Sequence, residues 1–240
     1  MDTDLTQKVV VVTGGGQGLG AAICSELAQA GAHVFVTDRS ERAESVAAAL
    51  TREGRRAYAL RGDVGDPDDV RGFIDEARKR FGRLDVVVNN AGIDRTIGVD
   101  EMEVDDWDAI IRTNLRGPFL LSKFALPLLR ESRGDIVNVA STAAKRGWPN
   151  ASAYHASKWG LLGLSYAMHA EFRAHKVRVT AVIAGGMRTP FLLERFPDLD
   201  PAKLQDPRDV ARAVRFALSQ PRESVVAEIT VLPVEESSWP

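Results

Sequence analysis

The sequence of 240 residues contains one cysteine, Cys24, four histidines and no long run of apolar residues. A single cysteine excludes an intrachain disulfide, and we expect Cys24 to lie on the buried face of a helix. No stretch reaches the roughly 18 consecutive apolar residues of a membrane-spanning helix. The polar, acidic residues 1–8 lack the pattern of a secretory signal. These absences predict a cytoplasmic protein that has no membrane as its partner.

An excess of charge of one sign is also missing, because 31 Lys and Arg residues stand against 33 Asp and Glu residues, for a formal net charge of −2. This balance argues against nucleic acid as the main partner. The few Cys and His residues form no cluster with the spacing of metal ligands, so we expect no metal. The sequence does have a hydrophobic fraction of 45%, which is enough for a substantial core in one α/β domain.

Short apolar runs alternate with longer segments of helical periodicity. Several runs are nearly continuous Val and Ile, which is typical of strands buried on both faces of a parallel sheet. The predicted strands are Val9–Thr13, His33–Thr37, Ala57–Arg61, Leu84–Val88, Asp135–Val139, Val177–Ile183 and Val226–Leu232. The predicted helices are Gly18–Ala30, Ser40–Glu53, Asp66–Phe81, Asp105–Arg130, Ala151–Ala174 and Pro207–Ser219. This order predicts an α/β fold with a doubly wound sheet and right-handed crossovers, in one domain over residues 1–240.

Helix-start signals and one irregular stretch complete this outline. Ser40 is the expected N-cap of the second helix, and Asp66 followed by Pro67 is a strong start signal for the third. Residues 189–206, TPFLLERFPDLDPAKLQD, mix proline with apolar side chains such as Phe191 and Phe196. We interpret this stretch as a short substrate lid rather than a second domain.

A glycine-rich turn, TGGGQGLG at residues 13–20, joins the first predicted strand to the first helix. Glycine allows the backbone to approach a pyrophosphate closely, and a helix N-terminus offers free N–H groups and a positive dipole end. Gly16, Gly18 and Ala21 fit the pattern G-x-G-x-x-A. The alternative is a tight turn that binds no ligand, but the context of strand, turn and helix is the one that nucleotide binding requires.

An acidic residue, Asp38, follows the second predicted strand, 24 residues after Gly14. A carboxylate there can accept hydrogen bonds from the ribose hydroxyls of NAD, and it would repel the 2′-phosphate of NADP. Arg39 complicates this assignment, because a guanidinium could bind that phosphate, whereas Gln17 in the turn is uncharged. We therefore expect NAD, with NADP as the less favoured coenzyme. A purely structural role for Asp38 at the helix entry is the alternative.

The stretch YHASK at residues 154–158 places Tyr154 and Lys158 one helical turn apart on the same face. A phenol normally titrates at about 10, which is too high for an efficient base near neutral pH, and a nearby ammonium would favour the phenolate. The alternative is that Tyr154 packs while Lys158 reaches solvent. Ser141 is a poor candidate for a hydrolase nucleophile, because no G-x-S-x-G motif surrounds it.

Taken together, these motifs resemble the short-chain dehydrogenase/reductase family along nearly the whole chain. The matching residues, in the family's order, are Thr13-Gly14-x-x-x-Gly18-x-Gly20, Asp38, Asp63-Val64, Asn89-Asn90-Ala91-Gly92, Asn114, Ser141 and Tyr154-x-x-x-Lys158. Each motif alone is weakly specific, whereas the set in this order is specific. The resemblance implies a single-domain Rossmann fold that has a seven-stranded parallel sheet flanked by helices and no separate substrate domain.

The resemblance also implies roles for individual residues. Tyr154 would move the proton of the substrate, Ser141 would steady the substrate oxygen, Lys158 would bind the nicotinamide ribose and lower the pKa of Tyr154, and Asn114 would hold a water of the proton relay. The residues expected to bind the coenzyme are Gly14, Gln17, Gly18, Leu19, Gly20, Asp38, Arg39, Asp63, Val64, Asn90, Ala91, Gly92, Tyr154, Lys158, Gly185, Met187 and Thr189. By analogy the substrate pocket would include Ser141, Asp94, Thr142, Trp148 and Phe191. Trp148 could equally pack beneath a loop.

The sequence departs from the family pattern at two places, after the sixth predicted strand and at the carboxyl terminus. Ala184 stands where the family commonly has proline, and the carboxyl terminus lacks the frequent Asp-Gly-Gly ending. We expect a homotetramer, with a homodimer as the alternative, and Trp239 is either an interface anchor or a frayed aromatic residue. The function implied is an NAD(H)-dependent oxidoreductase acting on a secondary alcohol or ketone. The alternatives are an NADPH-dependent reductase of 3-oxoacyl thioesters and a nucleotide-binding regulatory protein with little turnover.

Overall fold

The structure, a computed structural model, describes residues 5–236. In this part of the chain seven strands form one sheet in the order β3-β2-β1-β4-β5-β6-β7, and every pairing is parallel. The strands are β1 (Val9–Thr13), β2 (His33–Asp38), β3 (Arg56–Arg61), β4 (Val86–Asn89), β5 (Asp135–Val139), β6 (Arg178–Ala184) and β7 (Glu228–Val231). The α-helices are α1 (Gly18–Gln29), α2 (Arg42–Arg52), α3 (Pro67–Phe81), α4 (Val104–Ile111), α5 (Gly117–Ser132), α6 (Ser152–Phe172), α7 (Pro190–Leu193) and α8 (Pro207–Leu218).

Strand side chains alternate between the two faces of the sheet. Val10 and Val12 of β1 belong to a core shared with α1, α2 and α8. Val9 and Val11 belong to a second core shared with α3, α5 and α6. Because both faces are covered by helices, the central strands carry nearly continuous Val and Ile, and burial of these side chains is the main favourable contribution to the three-layer fold.

The strand order reverses at β1, which pairs with β2 on one side and β4 on the other. Successive crossover connections therefore lead away from each other at this point and leave a crevice beyond the carboxyl ends of β1 and β4. Ligands of open α/β sheets bind in such a crevice. The fold thus brings the predicted glycine turn and the residues that follow β4 to the same place.

The predicted fold, an α/β protein with a seven-stranded parallel sheet flanked by helices, is confirmed. The start of α3 also follows the prediction, since the Asp66 carboxylate accepts hydrogen bonds from the backbone N–H groups of Asp68 and Asp69 and Pro67 occupies the first turn. The start of α2 differs. The Asp38 carboxylate accepts hydrogen bonds from both the backbone and the hydroxyl of Ser40, so Ser40 stays in a turn and α2 begins at Arg42. Trp239 lies outside the described residues.

The prediction of one helix over residues 105–130 is wrong. The segment forms α4, then a π-helical turn at Arg112–Arg116, and then α5. Pro118 provides the physical reason, because it has no N–H to bond the carbonyl of Asn114, as an α-helix would require. The N–H of Gly117 instead bonds the carbonyl of Arg112, which widens the turn that carries Asn114.

Candidate active site

A cleft of about 760 Å³ runs along the carboxyl ends of the strands. Its lining comes from the loops after β1, β2, β3 and β4, from the loops after β5 and β6, and from residues 190–204. This volume lies in the range of small-molecule and coenzyme sites. Every residue that the sequence predicted to bind the coenzyme or the substrate lines this cleft, although their roles remain predictions.

The glycine turn approaches the neighbouring backbone too closely for side chains. Gly14 and Gly18 have φ angles of +62° and +53°, in the left-handed region that favours glycine. A Cβ on Gly20 would lie 1.9 Å from the carbonyl oxygen of Gly14. The side chain of Gln17, the N-cap of α1, makes no capping hydrogen bond, and the first turn of α1 has no acidic residue. The positive end of this helix is therefore open toward the cleft, which suits a phosphate group.

The loop after β4 is fastened to the glycine turn by hydrogen bonds. The side-chain amide of Asn90 donates to the carbonyl oxygens of Thr13 at 2.9 Å and Gly14 at 3.1 Å. The hydroxyl of Thr13 in turn accepts from the backbone N–H groups of Asn90 and Ala91, each at 3.1 Å. These bonds hold the floor of the cleft in one shape across the switch point of the sheet.

Asp38 ends β2 at the far end of the cleft. One carboxylate oxygen accepts a hydrogen bond from the N–H of Gly16 at 3.1 Å, and the other accepts from the N–H and hydroxyl of Ser40 at 2.9 and 2.8 Å. Arg39 and Arg42 line the cleft beside it, and Arg42 contacts the side-chain oxygen of Gln17. Arg42 was not predicted from the sequence, and its signal was a basic residue four positions after the acid.

Asn114 lies behind the cleft rather than on its surface and is fully buried. Its amide donates to the carbonyl of Ile93 at 2.8 Å and to the hydroxyl of Ser157 at 3.1 Å, while its oxygen accepts from the N–H of Ile93 at 2.8 Å. The π-helical turn therefore fastens the loop after β4 to α6. The hydrogen bond to Ser157 connects Asn114 to α6, the helix that carries Tyr154 and Lys158.

Three predicted catalytic side chains converge at the centre of the cleft. Ser141 follows β5, and its hydroxyl accepts from the N–H of Ala143 at 3.2 Å. Nζ of Lys158, a residue only 4% exposed, donates to the carbonyl of Val139 at 2.8 Å and lies 5.6 Å from the centre of the Tyr154 ring. The Lys158 ammonium has three donors, so it can also bind hydroxyl groups of a coenzyme.

Burial governs the titration of the central pair. It raises the pKa of Tyr154 to about 12, although the hydrogen bond with Ser141 lowers it in part. It lowers the pKa of Lys158 to about 8, against the opposing field of Asp94. The expected lowering of the Tyr154 pKa by Lys158 is therefore not seen in the coenzyme-free chain. The physical reason is that loss of hydration of the phenolate exceeds the favourable interactions that the chain supplies.

The substrate end of the cleft is walled by aromatic side chains. The ring of Phe191 lies 5.9 Å from that of Tyr154, centre to centre. Trp148 lines the cleft and also packs edge-on against His155, with 4.3 Å between ring centres, and its role toward a substrate stays a prediction. Asp94 forms an ion pair with Arg195 beside these rings. Arg195 was not predicted, and its only signal was a cation within an apolar stretch.

The end of the described chain also reaches the cleft. The carboxylate of Glu236 accepts a hydrogen bond from the N–H of Gly186 at 3.0 Å, in the loop after β6. Nothing in the sequence pattern indicated this contact, because it joins residues 50 positions apart without a recognisable motif.

The donor set of the cleft fits a nicotinamide dinucleotide. A glycine turn opens the N-terminus of α1, the carboxylate of Asp38 lies beyond it, and the ammonium of Lys158 retains donors. A methyl group on Gly92 would lie 3.7 Å from that ammonium, so the absence of a side chain keeps the approach to it open. A doubly wound sheet with this cleft at its switch point defines a dinucleotide-binding protein of the Rossmann type.

Comparison with known proteins gives the family. A family model described as short chain dehydrogenase matches residues 8–200. The chain is 40% identical over 201 residues to a short chain dehydrogenase/reductase of Colletotrichum higginsianum, an alignment that covers 82% of this chain and 75% of that protein. It is 35% identical over 234 residues to an uncharacterized oxidoreductase of Staphylococcus aureus strain USA300, which covers 97% of this chain and 100% of the relative.

Solved structures agree with this assignment. A metagenomic short-chain oxidoreductase in complex with NADP superposes with a TM-score of 0.85 at 33% identity, over 96% of this chain and 98% of that one. A candidate short-chain alcohol dehydrogenase of Sinorhizobium meliloti gives a TM-score of 0.90 at 31% identity, over 98% of each chain. The chain belongs to the short-chain dehydrogenase/reductase family. It is an oxidoreductase that acts on CH–OH groups with NAD(P).

Among residues 5–236, no helix is long and apolar enough to cross a membrane. In the same range, no three His, Cys, Asp or Glu residues come together as a possible metal site.

Proposed function

We propose that the protein transfers a hydride between NAD(H) and a secondary alcohol or its ketone, with Tyr154 as the acid and base. The observation that carries this proposal is the convergence of Tyr154, Ser141 and Lys158 in one cleft whose other end has the donors for a dinucleotide. Binding of a nucleotide alone does not require a buried phenol and a hydroxyl side by side. This arrangement disfavours the alternative of a regulatory protein with little turnover.

When bound, NAD(H) supplies or accepts the hydride. The residues of the chain manage the accompanying proton. The Tyr154 hydroxyl, with its pKa raised to about 12, is protonated at neutral pH and is ready to donate to a carbonyl oxygen. Ser141 orients that oxygen, and Lys158 binds ribose hydroxyls and keeps a positive charge near the phenol. Because the phenol is protonated in the coenzyme-free protein, it can donate its proton when a ketone is reduced, and the same group would take up the proton when an alcohol is oxidised.

NAD is the coenzyme that we propose over NADP. Asp38 directs its carboxylate to hydrogen bonds with Gly16 and Ser40, at the strand end where the ribose of a dinucleotide lies in Rossmann folds. A phosphate there would face this negative charge. Arg39 and Arg42 supply the counterargument, since both line the cleft and the metagenomic relative holds NADP. These cations support the second candidate, an NADPH-dependent reductase of 3-oxoacyl thioesters.

Residues 189–206 are proposed as a lid over the substrate, within a chain that forms one domain. Phe191, Leu192, Phe196 and Leu199 from this segment line the cleft, whereas the coenzyme end is lined by the strand loops. The segment contains only α7 and a 3₁₀ turn at Pro201–Lys203, and such short elements move at lower cost than long helices. Closure of this lid would exclude water from the reacting atoms.

We propose a homotetramer because exposed aromatic side chains lie on two separate sets of helices. Phe119 on α5 and Trp159 on α6 are 44% and 52% exposed. Phe216 on α8 is 45% exposed, close to the edge strand β7. A tetramer with dihedral symmetry needs two different self-complementary interfaces, and a dimer needs only one. Light scattering on Trp159→Glu would show smaller particles than the wild type, and an unchanged mass would contradict this role.

The function is tested by following NADH and NADPH absorbance against a panel of ketones and alcohols. Tyr154→Phe is compared with the wild type, and Tyr166→Phe is the matched control. Tyr166 lies on the same helix but bonds Glu228 rather than a cleft residue. We expect turnover in the wild type and the control, near-complete loss in Tyr154→Phe, and affinity for the coenzyme within a few-fold. Persistent turnover of Tyr154→Phe would refute the proton-transfer role.

A further inference from the structure

The substrate end of the cleft contains a buried carboxylate that is only partly satisfied. The side chain of Asp94 is 4% exposed, and its Oδ2 accepts a hydrogen bond from Nη1 of Arg195. Its Oδ1 is buried and accepts no hydrogen bond of normal geometry among residues 5–236. Burial raises the pKa of Asp94, and the Arg195 guanidinium and the nearby N–H of Arg95, which does not meet that geometry, oppose the rise only in part. Buried acceptors are nearly always paired with a donor from the protein or from an ordered water, so this carboxylate has room for one more donor.

Asp94 lines the same cleft as Tyr154. The ring of Phe191 is 5.9 Å from the Tyr154 ring on one side and 4.1 Å from the Arg195 guanidinium on the other. The charge of Asp94 also acts on both Tyr154 and Lys158, raising the pKa of each. The carboxylate is therefore near the reacting centre, yet it is not one of the groups that move the proton.

Arg195 holds this carboxylate in place. Its Nε donates to the carbonyl of Phe191 at 2.8 Å, and its guanidinium lies over the Phe191 ring. One side of Arg195 is thereby fixed to α7 and the other to Asp94. An acceptor that is held by a second residue in this way is positioned before the ligand arrives, which is the condition for selective recognition.

The charge of the pair limits the chemistry of the ligand. The carboxylate and the guanidinium balance each other, so an anionic group would meet the carboxylate unfavourably, and an ammonium would leave a net positive charge in a buried site. A neutral hydroxyl group supplies the missing donor without changing the charge.

We propose that Asp94 determines specificity by accepting a hydrogen bond from a second hydroxyl group of the substrate, so that the enzyme acts on hydroxylated alcohols and ketones. This inference rests on the proposed function of the cleft. A site built to bond a hydroxyl rejects the analogue that lacks it, because the buried acceptor is then left unpaired. The surrounding Phe191 and Trp148 would hold the carbon skeleton.

The test compares cyclohexanol with the three positional cyclohexanediols, using kcat/KM with NAD. The variants are the double substitution Asp94→Leu with Arg195→Met, which removes the pair together, and Asp94→Asn. Asp106→Asn is the matched control, since Asp106 pairs with Arg95 at 3.2 Å and does not line the cleft. Thermal unfolding of each variant shows whether it is folded.

We expect the wild type and Asp106→Asn to prefer at least one diol over cyclohexanol by about tenfold or more. The double variant should lose this preference, so that its ratio of diol to cyclohexanol kcat/KM falls to about one whatever the change in the cyclohexanol value itself, and Asp94→Asn should be intermediate. Equal values for diols and cyclohexanol in the wild type, or a preference retained in the double variant, would overturn the proposal.

A binding measurement separates this inference from the proposed function. NADH-loaded Tyr154→Phe is titrated with the same compounds, and quenching of coenzyme fluorescence reports affinity without turnover. Tighter binding of a diol, lost in the double variant, supports the role of Asp94 even if no compound is oxidised by the wild type. No difference in binding between diols and cyclohexanol overturns it, even where turnover depends on Tyr154 as proposed.

Discussion

The ammonium of Lys158 lies 5.6 Å from the centre of the Tyr154 ring and donates a hydrogen bond to the carbonyl of Val139 at 2.8 Å. Lys158 thus joins α6 to the end of β5 at the point where the substrate oxygen is expected. Lys158 is 4% exposed, and burial lowers the pKa of its ammonium group from the ordinary 10.5 to about 8. The protein therefore keeps a poorly hydrated cation at its centre, which destabilises the coenzyme-free fold.

Lys158→Met should make the coenzyme-free protein more stable while abolishing turnover. One unit of pKa corresponds to about 1.4 kcal/mol, so the shift of Lys158 corresponds to about 3 kcal/mol of destabilisation. Loss of the bond to the Val139 carbonyl offsets about 1 kcal/mol of the gain. We expect the free energy of unfolding in urea, measured near neutral pH, to rise by about 2 kcal/mol.

The pH dependence gives a separate check on Lys158. Between pH 8 and 10.5 the unfolded lysine keeps its proton while the folded one loses it, so stability from this group rises with pH. The gain in the free energy of unfolding of Lys158→Met over the wild type should therefore be complete below pH 8 and disappear toward pH 10.5. An advantage that is constant across this range would mean that the charge of Lys158 is not its cause.

Asp38→Ala should shift coenzyme preference toward NADP. Removal of the carboxylate takes away repulsion of the 2′-phosphate and the acceptor for the ribose hydroxyls, while Arg39 and Arg42 remain. We expect the ratio of the Kd values for NADP and NAD to fall by about tenfold, or about 1.4 kcal/mol. Asp63→Ala is the control, because the family resemblance implies that Asp63 lines the adenine pocket, where a substitution should weaken the binding of both coenzymes alike. An unchanged ratio in Asp38→Ala would end the ribose assignment.

Gly20→Ala should destabilise the protein and impair coenzyme binding. Its methyl group would lie 1.9 Å from the carbonyl oxygen of Gly14, so the backbone of the turn must move, at a cost of about 3 kcal/mol. The matched control is Gly72→Ala in α3, where nothing lies within 4 Å of the added methyl group. That change should stabilise by about 0.5–1 kcal/mol through helix propensity. Similar unfolding midpoints for the two variants would show that the turn is more adaptable than its geometry indicates.

Asn114→Ala should loosen the loop after β4. The change removes three hydrogen bonds, to the N–H and carbonyl of Ile93 and to the hydroxyl of Ser157, and their loss predicts a fall of about 3 kcal/mol in the free energy of unfolding. Hydrogen exchange at the amide of Ile93 should speed up together with the fall in turnover. Asn114→Asp keeps the oxygen that accepts from the N–H of Ile93, but it places a second oxygen against the carbonyl of Ile93. The amide hydrogen of Ile93 should therefore remain protected from exchange in this variant. Equal rates of hydrogen exchange at the amide of Ile93 in the wild type and in Asn114→Ala would contradict the proposal that Asn114 holds this loop.

The fold could be predicted from local patterns because they report burial directly. The nearly continuous valines of Val9–Thr13 fit only a strand covered on both faces, and the Asp66-Pro67 pair marks a helix start by hydrogen bonding within three residues. The π-helical turn could not be read from periodicity, since one widened turn changes the helical period only locally. Its cause, the missing N–H of Pro118, becomes clear only when the surrounding backbone is known.

The site followed from the sequence where its residues stand next to strand ends. Gly14 and Asp38 were recognisable because each directly follows a predicted strand, and Tyr154 was recognisable because Lys158 lies one helical turn away. Arg195 and Glu236 were not, because their partners Asp94 and Gly186 are far away along the chain. The pKa of Tyr154 was also beyond reach, since it depends on how completely the phenol loses water. Sequence thus indicated the chemistry, but not the balance of charges around it.

Several side chains at the substrate end come from one uninterrupted segment, whereas the nucleotide end is assembled from several strand loops. Phe191, Arg195 and Phe196 all lie in residues 189–206, whose helical elements are short, and Arg195 is also held by its ion pair with Asp94. A single recombination event that replaced residues 190–206 would therefore change these three side chains together and leave Thr189 and the strand loops of the nucleotide end unchanged. Asp94 lies outside this segment, so each new segment would have to provide a partner for its carboxylate in place of Arg195.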